Sequence, residues 1–354
     1  MLIKERRTMK MRIGLVGLGA MGSTHFQHYL QMERDGLEVA LVALCDVDQK
    51  KLKEGEAVKG NLESQSSGGA LDFSRYALHH DMEQMIQTED LDAVDLCIPT
   101  YLHGPYSIKA MELGVHVFCE KPMSLNVEIC NQMLETAKKA GKILMIGHTL
   151  RYWPAYMEAK EYVDKKTFGE VISGYFYRGG ETPVWSWENW LLTKEKSGGC
   201  LLDQHVHDVD TVNWLFGLPS KVSASGKNYY KGSGFDIVST NYLYEDGKVI
   251  NAQDDWVLNG QGYGFKMLFR LNFEKGALVF EEDRLTVLPN EGEAFVPELS
   301  TVNPYYSELK LFTELLRSPG LFNYMERLES HRETIRLALA EQMSAELSGT
   351  VVEV

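Results

Sequence analysis

The stretch MRIGLVGLGAMG, residues 11–22, decides the fold of this chain. It opens with an apolar run typical of a buried strand and ends with glycines at positions 17, 19 and 22. The HFQHYLQME that follows is typical of a helix, so a G-x-G-x-x-G pattern stands between a strand and a helix. This placement predicts a strand–turn–helix unit that binds a dinucleotide; the alternative is a glycine-rich structural turn.

Each glycine of the pattern has a physical reason to be there. Gly17 permits the tight turn, Gly19 lets the backbone approach a pyrophosphate closely, and Gly22 lets the helix pack on the strand. The free N–H groups and the positive dipole end at the helix N-terminus favour phosphate. We therefore predict that the whole run contacts the cofactor: Gly17, Leu18, Gly19, Ala20, Met21 and Gly22.

A second apolar run, LEVALVALCD at residues 37–46, ends in an acid. Asp46 lies 24 residues after Gly22, close to the spacing expected for the residue that holds a ribose. Its carboxylate would accept hydrogen bonds from a ribose 2′-OH and would repel a 2′-phosphate, and neither Val47 nor Asp48 supplies an arginine. The sequence therefore predicts NAD as the cofactor, in preference to NADP.

Strands and helices continue to alternate as far as residue 150. LDAVDLCIPT (91–100), VHVFCEKP (115–122) and KILMIGHTL (142–150) predict strands, and helical patterns lie between them. Such alternation predicts a parallel, doubly wound sheet, in which ligands bind beyond the carboxyl ends of the strands. Four residues lie at such ends and are predicted on the cofactor side: Pro99, Thr100, Glu120 and Lys121.

The pattern changes after residue 150. Long aromatic and β-branched runs predict a large, mostly antiparallel sheet, with hairpin turns at EDGK (245–248) and EKGA (274–277) that place glycine where φ is positive. The predicted fold class is α/β: an N-terminal Rossmann doubly wound parallel sheet plus a C-terminal α/β domain with a large open sheet. We assign residues 1–10 to a lead-in, 11–150 to the NAD-binding domain, and 151–354 to a substrate and oligomerisation domain whose last helices can pack back on the first.

Composition excludes several classes of protein. A formal net charge of −14 argues against nucleic acid as a partner. Five cysteines without a C-x-x-C pair argue against a disulfide framework and suit a reducing cytoplasm. Residues 1–10 lack the apolar core of a signal peptide, and no run of about 18 apolar residues predicts a membrane span.

The run GGCLLDQHVHDVD, residues 198–210, is compatible with a metal site, an acid/base site or a polar helix. If residues 201–216 form one helix, Asp203 and His207 share a face, Asp210 lies near them, and His205 points the opposite way. The two histidines could not then chelate one ion, and further ligands with zinc spacing are lacking. The prediction is no metal site, with acid/base chemistry preferred over a solvated helix face.

Three motifs occur together and in order: GLGAMG (17–22), EKP (120–122) and GG-x-L-x-D-x-x-x-H-x-x-D (198–210). In this combination the chain resembles the glucose–fructose oxidoreductase / inositol dehydrogenase / rhizopine catabolism superfamily of NAD(P)-dependent oxidoreductases, from residue 11 to the end. The resemblance implies a Rossmann domain followed by a domain whose open antiparallel sheet forms a homodimer or homotetramer interface. It does not specify one substrate.

The resemblance also implies roles for individual residues. The family's catalytic lysine, aspartate and histidine fall on Lys121, Asp203 and His207, and the Lys121–Pro122 bond is often cis in the family. CIPTYLH (97–103) is similar to the nicotinamide-side loop, with His103 at its usual histidine.

Three further positions are implied to contact substrate. Arg151 and Trp190 stand where the family often has an arginine and a tryptophan. His205 departs from the pattern, because many members have glycine there, and we expect it to narrow the pocket or add a polar contact.

These inferences lead to an expected function. The chain is expected to be a cytoplasmic, NAD(P)-dependent dehydrogenase or reductase that moves a hydride between nicotinamide and a secondary hydroxyl or ketone of a sugar, inositol or related polyol. His207 has the intrinsic pKa of a general base, and Lys121 can stabilise the developing oxyanion. The alternatives are a glycoside hydrolase or epimerase that uses tightly bound NAD transiently, and a non-enzymatic NAD-binding sensor.

Overall fold

The computed structural model describes residues 10–54, 71–260, 264–318 and 324–354. Most of the predicted lead-in, residues 1–9, lies outside the described residues. By internal contacts the chain divides into two units. Unit 1 takes the described parts of Met1–Met123, Glu128–Gly147 and Tyr305–Leu328, and unit 2 takes Ser124–Val127, His148–Pro304 and Glu329–Val354.

A six-stranded sheet forms the centre of unit 1. Its strands are β1 (Met11–Val16), β2 (Val39–Cys45), β3 (Ala77–His79), β4 (Ala93–Leu96), β5 (His116–Glu120) and β6 (Leu144–Gly147). They are ordered β3–β2–β1–β4–β5–β6, and every neighbouring pair is parallel. The predicted doubly wound sheet is confirmed; the short strand β3 was not predicted. The order reverses between β1 and β4, which is where such sheets bind ligands.

Helices cover the sheet of unit 1. They are α1 (Ala20–Arg34), α2 (Gln49–Glu54), α3 (Met82–Thr88), α4 (Thr100–Glu112), α5 (Val127–Ala140) and α10 (Pro304–Arg317). In α5 the buried residues Cys130, Met133, Leu134 and Ala137 follow the spacing of one helix face, so this helix forms because it buries that stripe. From the far end of the chain, α10 places Phe312 against Phe118 of β5, with 5.6 Å between ring centroids.

An eight-stranded sheet forms unit 2. Its strands are β7 (Val171–Gly179), β8 (Lys221–Lys227), β9 (Ile237–Leu243), β10 (Val249–Asp255), β11 (Lys266–Phe273), β12 (Gly276–Glu281), β13 (Arg284–Pro289) and β14 (Val352–Glu353). The order is β13–β12–β11–β7–β10–β9–β8–β14, antiparallel except for the β7–β10 pair. Burial alternates along β9, so one face of the sheet is packed and the other is not. The prediction of a large, mostly antiparallel sheet is confirmed.

The two predicted hairpin turns differ in why they contain glycine. Gly247, between β9 and β10, has a φ of 77°, as predicted. The prediction of a positive φ at Gly276 was wrong, because this residue already belongs to β12. Glycine is required there by close packing: a Cβ would lie 2.5 Å from the Phe168 ring and 2.9 Å from the carbonyl oxygen of Leu288.

The remaining helices are α6 (Pro154–Lys165), α7 (Lys194–Ser197), α8 (Gly199–Asp203), α9 (Val206–Phe216) and α11 (Tyr324–Glu346), together with 3₁₀ segments at Thr149–Tyr152 and Trp187–Leu192. Among the described helices, none has the length and apolar character needed to cross a membrane.

Candidate active site

The glycine run forms a tight loop between β1 and α1. Gly17 has a φ of 90°, and a Cβ on it would lie 2.2 Å from the carbonyl oxygen of Cys97. A Cβ on Gly22 would lie 1.8 Å from the carbonyl oxygen of Gly17, so the helix reaches the strand only because both residues are glycine. A Cβ on Gly19, the N-cap of α1, would meet no described atom within 4 Å. The loop is therefore tight on the protein side and open at Gly19.

Asp46 follows β2 and holds this loop. Its Oδ2 accepts a hydrogen bond of 2.7 Å from the backbone N–H of Leu18, and its Oδ1 accepts one of 2.9 Å from that of Asp48. Lys51 Nζ lies 3.5 Å from Oδ2, so a cation that the sequence reasoning did not consider stands beside the acid. Asp46 is buried and thus has a structural role in addition to the cofactor role predicted for it.

The ends of β4 and β5 are joined by His103. Pro99 is the N-cap of α4 and Thr100 its first residue. The buried His103 ring has Nδ1 2.7 Å from the carbonyl oxygen of Pro122 and Nε2 2.8 Å from that of Ile98. Burial lowers the pKa of His103, although both carbonyl groups oppose this. Both ring nitrogens face protein carbonyls, so His103 fixes the loop around Pro122.

Lys121 lies at the end of β5, next to a cis peptide bond to Pro122, as the family resemblance implied. Its backbone N–H donates to Glu120 Oε2 at 3.2 Å, and Glu120 Oε1 lies 3.2 Å from His25 Nε2. Burial alone would raise the pKa of Glu120, but His25 and then Lys121 lower it below its ordinary value. Glu120 therefore supports the backbone of Lys121 as a carboxylate.

Sequence reasoning missed the rest of this buried group. His25 Nδ1 lies 2.8 Å from Asp95 Oδ2, and burial raises the pKa of the nearby Glu308 carboxyl well above its ordinary range. His25 lies three residues after Gly22, on the predicted helix α1, and Asp95 lies on the predicted strand β4. The periodicity of these two elements could have indicated that His25 and Asp95 point inward. Nothing in the sequence around Glu308 indicates that α10 places it beside them.

In unit 2, residues 201–216 do not form the single helix that was assumed for them. α8 ends at Asp203, α9 begins at Val206, and the N–H of His205 bonds to the carbonyl oxygen of Cys200, five residues back. This wide turn carries an extra residue, a geometry frequent at functional sites. Asp203 and His207, both half-buried, flank the turn. The inference that Asp203 and His207 share one face of a regular helix therefore does not apply.

Buried carboxylates hold the wide turn. Gln204 Nε2 donates to Asp254 Oδ1 at 2.6 Å, and His205 Nε2 lies 2.9 Å from Glu341 Oε2. The His205 ring is fully buried, so the expected substrate contact is replaced by an ion pair with Glu341 on α11. This pairing gives a physical reason for a histidine where many members have glycine.

Arg151 is also engaged inside the protein. Its Nε and Nη2 each lie 2.8 Å from an oxygen of Asp210, a bidentate pair, and Nη2 also donates to Ser330 Oγ at 3.0 Å. Burial would raise the pKa of Asp210, but Arg151 and His148 hold it well below the ordinary range. The Nε and Nη2 donors of Arg151 are thus engaged inside unit 2, and its expected contact with substrate stays a prediction. Trp190, the third expected substrate contact, is half-buried at the surface of unit 2.

Among the described residues, four groups bring three or more potential metal ligands within 4.8 Å of one another. Neither Asp203 nor His207 belongs to any of these four groups. All five cysteines lie in the described ranges and are free thiols.

Comparison with known proteins agrees with this description. Residues 11–148 match the model of an oxidoreductase family with an NAD-binding Rossmann fold, and residues 156–279 match the GFO/IDH/MocA C-terminal domain. The 2,7-anhydro-N-acetylneuraminate hydratase of Mediterraneibacter gnavus is 33% identical over 48% of this chain and 46% of its own length. The myo-inositol 2-dehydrogenase of Thermotoga maritima is 31% identical over 58% of this chain and 55% of its own. The chain thus spans about half the length of the curated relatives it matches.

Solved structures match over nearly the whole chain. Levoglucosan dehydrogenase in complex with NADH and levoglucosan has a TM-score of 0.79 at 20% identity, covering 98% of this chain and 99% of that one. An oxidoreductase from Agrobacterium radiobacter in complex with NAD⁺, L-tartaric acid and magnesium has a TM-score of 0.79 at 18% identity, covering 97% and 98%. At these identities the likeness shows the fold alone. With both family models matched in order, the chain belongs to the glucose–fructose oxidoreductase / inositol dehydrogenase / MocA (GFO/IDH/MocA) family of oxidoreductases.

Proposed function

We propose that this protein is an NAD-dependent oxidoreductase that transfers a hydride between nicotinamide and a secondary hydroxyl or ketone of a sugar, inositol or related polyol. The observation that carries the proposal is the carboxyl edge of the unit 1 sheet. There the glycine loop is open at Gly19, and Lys121 follows β5 beside a cis proline. A cofactor cradle and a positioned cation at one sheet edge suit hydride transfer better than binding alone.

The proposed cofactor contacts are the run 17–22, the carboxylate of Asp46, and the strand-end residues Pro99, Thr100, Glu120 and Lys121. Gly19 would let the backbone approach the pyrophosphate, since a Cβ there meets nothing described within 4 Å. When bound, the nicotinamide accepts or supplies the hydride. His103 is proposed to act through the loop that it holds between Ile98 and Pro122, without touching the cofactor.

The proposed acid/base residues are His207, Asp203 and Lys121. His207 takes the proton of the reacting hydroxyl, a role that histidine fills more often than any other side chain. Lys121 donates a hydrogen bond to the oxygen as negative charge develops on it. Asp203, across the wide turn, orients the imidazole or binds a neighbouring substrate hydroxyl. Arg151 and His205 are proposed to support unit 2 through Asp210 and Glu341.

A panel assay tests the proposal. The protein is mixed with NAD⁺ or NADP⁺ and with sugars, inositols and polyols, and the reduced-nicotinamide absorbance band is followed. Turnover with at least one polyol, lost in His207→Ala, is the expected result. If no substrate turns over although the protein binds NADH, the redox proposal fails.

A second candidate reaction has no net redox change. Two of the relatives that the chain matches, from Mediterraneibacter gnavus and Escherichia coli, are named as hydratases. We propose this alternative only in the form that NAD stays bound and is reduced transiently. It predicts that NAD co-purifies with the protein and that product forms without accumulation of NADH, which chromatography of the reaction mixture would show.

Lys121→Ala should lower kcat about 10²- to 10³-fold, the loss typical of one oxyanion donor. NADH affinity, measured by fluorescence, should stay within about threefold, since the glycine loop supplies the phosphate contacts. Lys109→Ala is the matched control, because that lysine lies on α4 and pairs with Glu83 at the surface of unit 1. Full activity in Lys121→Ala would remove this residue from the mechanism.

Asp46→Asn should weaken the preference for NADH over NADPH by roughly tenfold, because the amide no longer repels a 2′-phosphate. The amide oxygen can still accept the N–H of Leu18, which holds the glycine loop, but the amide nitrogen cannot accept that of Asp48. Lys51, 3.5 Å away, would then be able to face the phosphate. The ratio of kcat/KM for the two coenzymes measures the effect. An unchanged ratio would show that Asp46 does not read the ribose, and Asp46→Asn/Lys51→Ala isolates the contribution of the lysine.

We propose a homodimer or homotetramer assembled through the outer face of the unit 2 sheet. Leu243 and Val249 are exposed cross-strand neighbours in β9 and β10, on the face opposite the buried Ile250 and Tyr242. Exposed apolar patches of this kind mark association surfaces.

The five free thiols suit a reducing compartment, so the cytoplasm is the proposed location.

A further inference from the structure

Three large aromatic side chains stand in solvent on unit 2. Trp185 is 41% exposed, Trp187 40% and Tyr229 65%. We call these three residues the aromatic rim. The exposed parts of these rings, on two loops, offer a large apolar area that a ligand can cover.

The first loop of the rim, between β7 and α8, carries Trp185 and Trp187 and is held in a fixed shape. The hydroxyl of Thr182 donates to the carbonyl oxygen of Trp256 at 2.9 Å. The same hydroxyl lies 2.8 Å from the hydroxyl of Tyr230. At its other end, Ser197 Oγ donates to the carbonyl oxygen of Leu191 at 2.7 Å. Between these anchors Glu188 and Asn189 adopt φ values of 50° and 53°. Two consecutive left-handed residues other than glycine are strained, and such strain is concentrated at functional sites.

The second loop of the rim, between β8 and β9, carries Tyr229 and is anchored by the buried carboxylate of Asp236. Asp236 accepts hydrogen bonds from the N–H groups of Tyr229 at 2.6 Å and Tyr230 at 2.8 Å, and from Ser233 Oγ at 2.8 Å. It also accepts the indole N–H of Trp256 at 2.6 Å. The hydroxyl of Tyr230 is the one that Thr182 contacts, so the two loops are tied to each other.

Both loops meet the start of α8. The N–H of Cys200 donates to the carbonyl oxygen of Phe235 at 2.9 Å, and a Cβ on Gly199 would lie 2.6 Å from the carbonyl oxygen of Ser233. The segment Trp187–Leu192 packs on the same helix. At 1.5 Å per residue the five residues of α8 span about 7 Å, and the last of them is Asp203. The rim is thus built around the helix that ends at the proposed acid/base pair.

We propose that the aromatic rim is a second sugar-binding subsite, so that the substrate is a glycoside in which the oxidised sugar carries a further neutral sugar ring. This inference rests on the proposed function. The C–H face of a sugar ring is apolar and packs on an aromatic face, while its hydroxyls stay in water. Charges beside the rim are of both signs, with Glu181 and Glu188 exposed and Lys194 paired with Glu346 at 3.1 Å. Mixed charge favours a neutral ring over a phosphate or nucleotide.

The test compares free monosaccharides of the panel, their methyl glycosides and disaccharides, with NAD⁺ as oxidant. For the wild-type protein, KM should fall at least about tenfold from monosaccharide to disaccharide, the size of about 1.4 kcal/mol of stacking. Trp185→Ala/Trp187→Ala should remove this advantage and leave kcat and KM for the monosaccharide unchanged. Phe295→Ala is the matched control, because that aromatic is also exposed in unit 2.

Three results would overturn the proposal. Equal KM values for monosaccharide and disaccharide in the wild type would show that no second ring is bound. A disaccharide advantage that survives in the double variant would place the subsite elsewhere. A change of oligomeric state in the double variant, seen by light scattering, would show that a second copy covers the rim.

Failure of the proposed function is distinguishable from failure of this inference. If no compound turns over, isothermal titration calorimetry with the same sugars measures binding directly and does not depend on the two tryptophans. Tighter binding of disaccharide than monosaccharide, lost in the double variant, would support the subsite without redox activity. Absence of that difference would overturn it.

Discussion

Replacing His207 with alanine should lower kcat about 10²- to 10⁴-fold, the range for loss of a general base. NADH should bind as before, because the glycine loop and Asp46 belong to unit 1. The pH profile gives the sharper result. In the wild type kcat/KM should fall on the acid side as the base takes up a proton, and in the variant that limb should disappear.

Two companions separate this role from a structural one. His207→Asn keeps a polar side chain of similar reach and should be as slow as the alanine variant, because an amide cannot accept the proton. His79→Ala changes another histidine, on β3, whose Nε2 lies 2.9 Å from Glu89, and should leave the rate intact. An unaltered acid limb in either His207 variant would contradict the assignment of the base.

Replacing His205 with alanine should lower the free energy of unfolding by about 3–5 kcal/mol, the loss expected when one partner of a buried ion pair is removed. Glu341 would keep its contact with Thr240 Oγ1 at 2.9 Å but would lose its cation in a fully buried place. The midpoint of urea unfolding, followed by tryptophan fluorescence, measures the loss. Arg75→Ala, which breaks the exposed pair with Glu33, is the control and should cost under about 1 kcal/mol.

A double replacement of His205 and Glu341 by leucine tests the mechanism. Removing both charges leaves neither one uncompensated, so this variant should be more stable than His205→Ala. If the double variant is no better, the loss comes from packing of the ring rather than from the buried charge.

The same pair predicts a dependence on pH. Burial on its own lowers the pKa of His205, but Glu341, followed by Asp254 and Asp208, raises it above the ordinary 6.5. The stabilisation is therefore complete below about pH 6.5 and is lost as pH rises through the raised value. The difference in unfolding free energy between wild type and His205→Ala should shrink toward alkaline pH; a difference that grows would contradict a charged pair.

The glycine loop could be predicted from the sequence because its requirements are local. A Cβ on Gly22 would meet the carbonyl oxygen of Gly17, five residues earlier, so the motif itself contains this part of the geometry. The partners of His205 and Arg151 could not be predicted in this way. Glu341 lies 136 residues from His205, and Asp210 lies 59 residues from Arg151. A resemblance assigns a position to such residues, whereas only the fold shows what each position contacts.

The broken helix at residues 204–205 illustrates the same limit. Periodicity treats residues 201–216 as one cylinder, because nothing between Asp203 and His207 is a helix breaker. The turn forms because Gln204 and His205, adjacent in sequence, each reach a separate buried carboxylate, on β10 and α11. Tertiary pairing therefore overrides local helix preference at the position where the proposed acid/base residues lie.

The covering of β5 by α10 has a consequence for how the protein is made. Phe118 of the early-synthesised sheet packs on Phe312, which leaves the ribosome 194 residues later. At about 5–20 residues per second this interval is roughly 10–40 s. During that time α10 has not been synthesised, and the apolar face of the sheet that it packs on stays exposed. A chain truncated near residue 150 should therefore bind chaperones rather than fold as an independent domain.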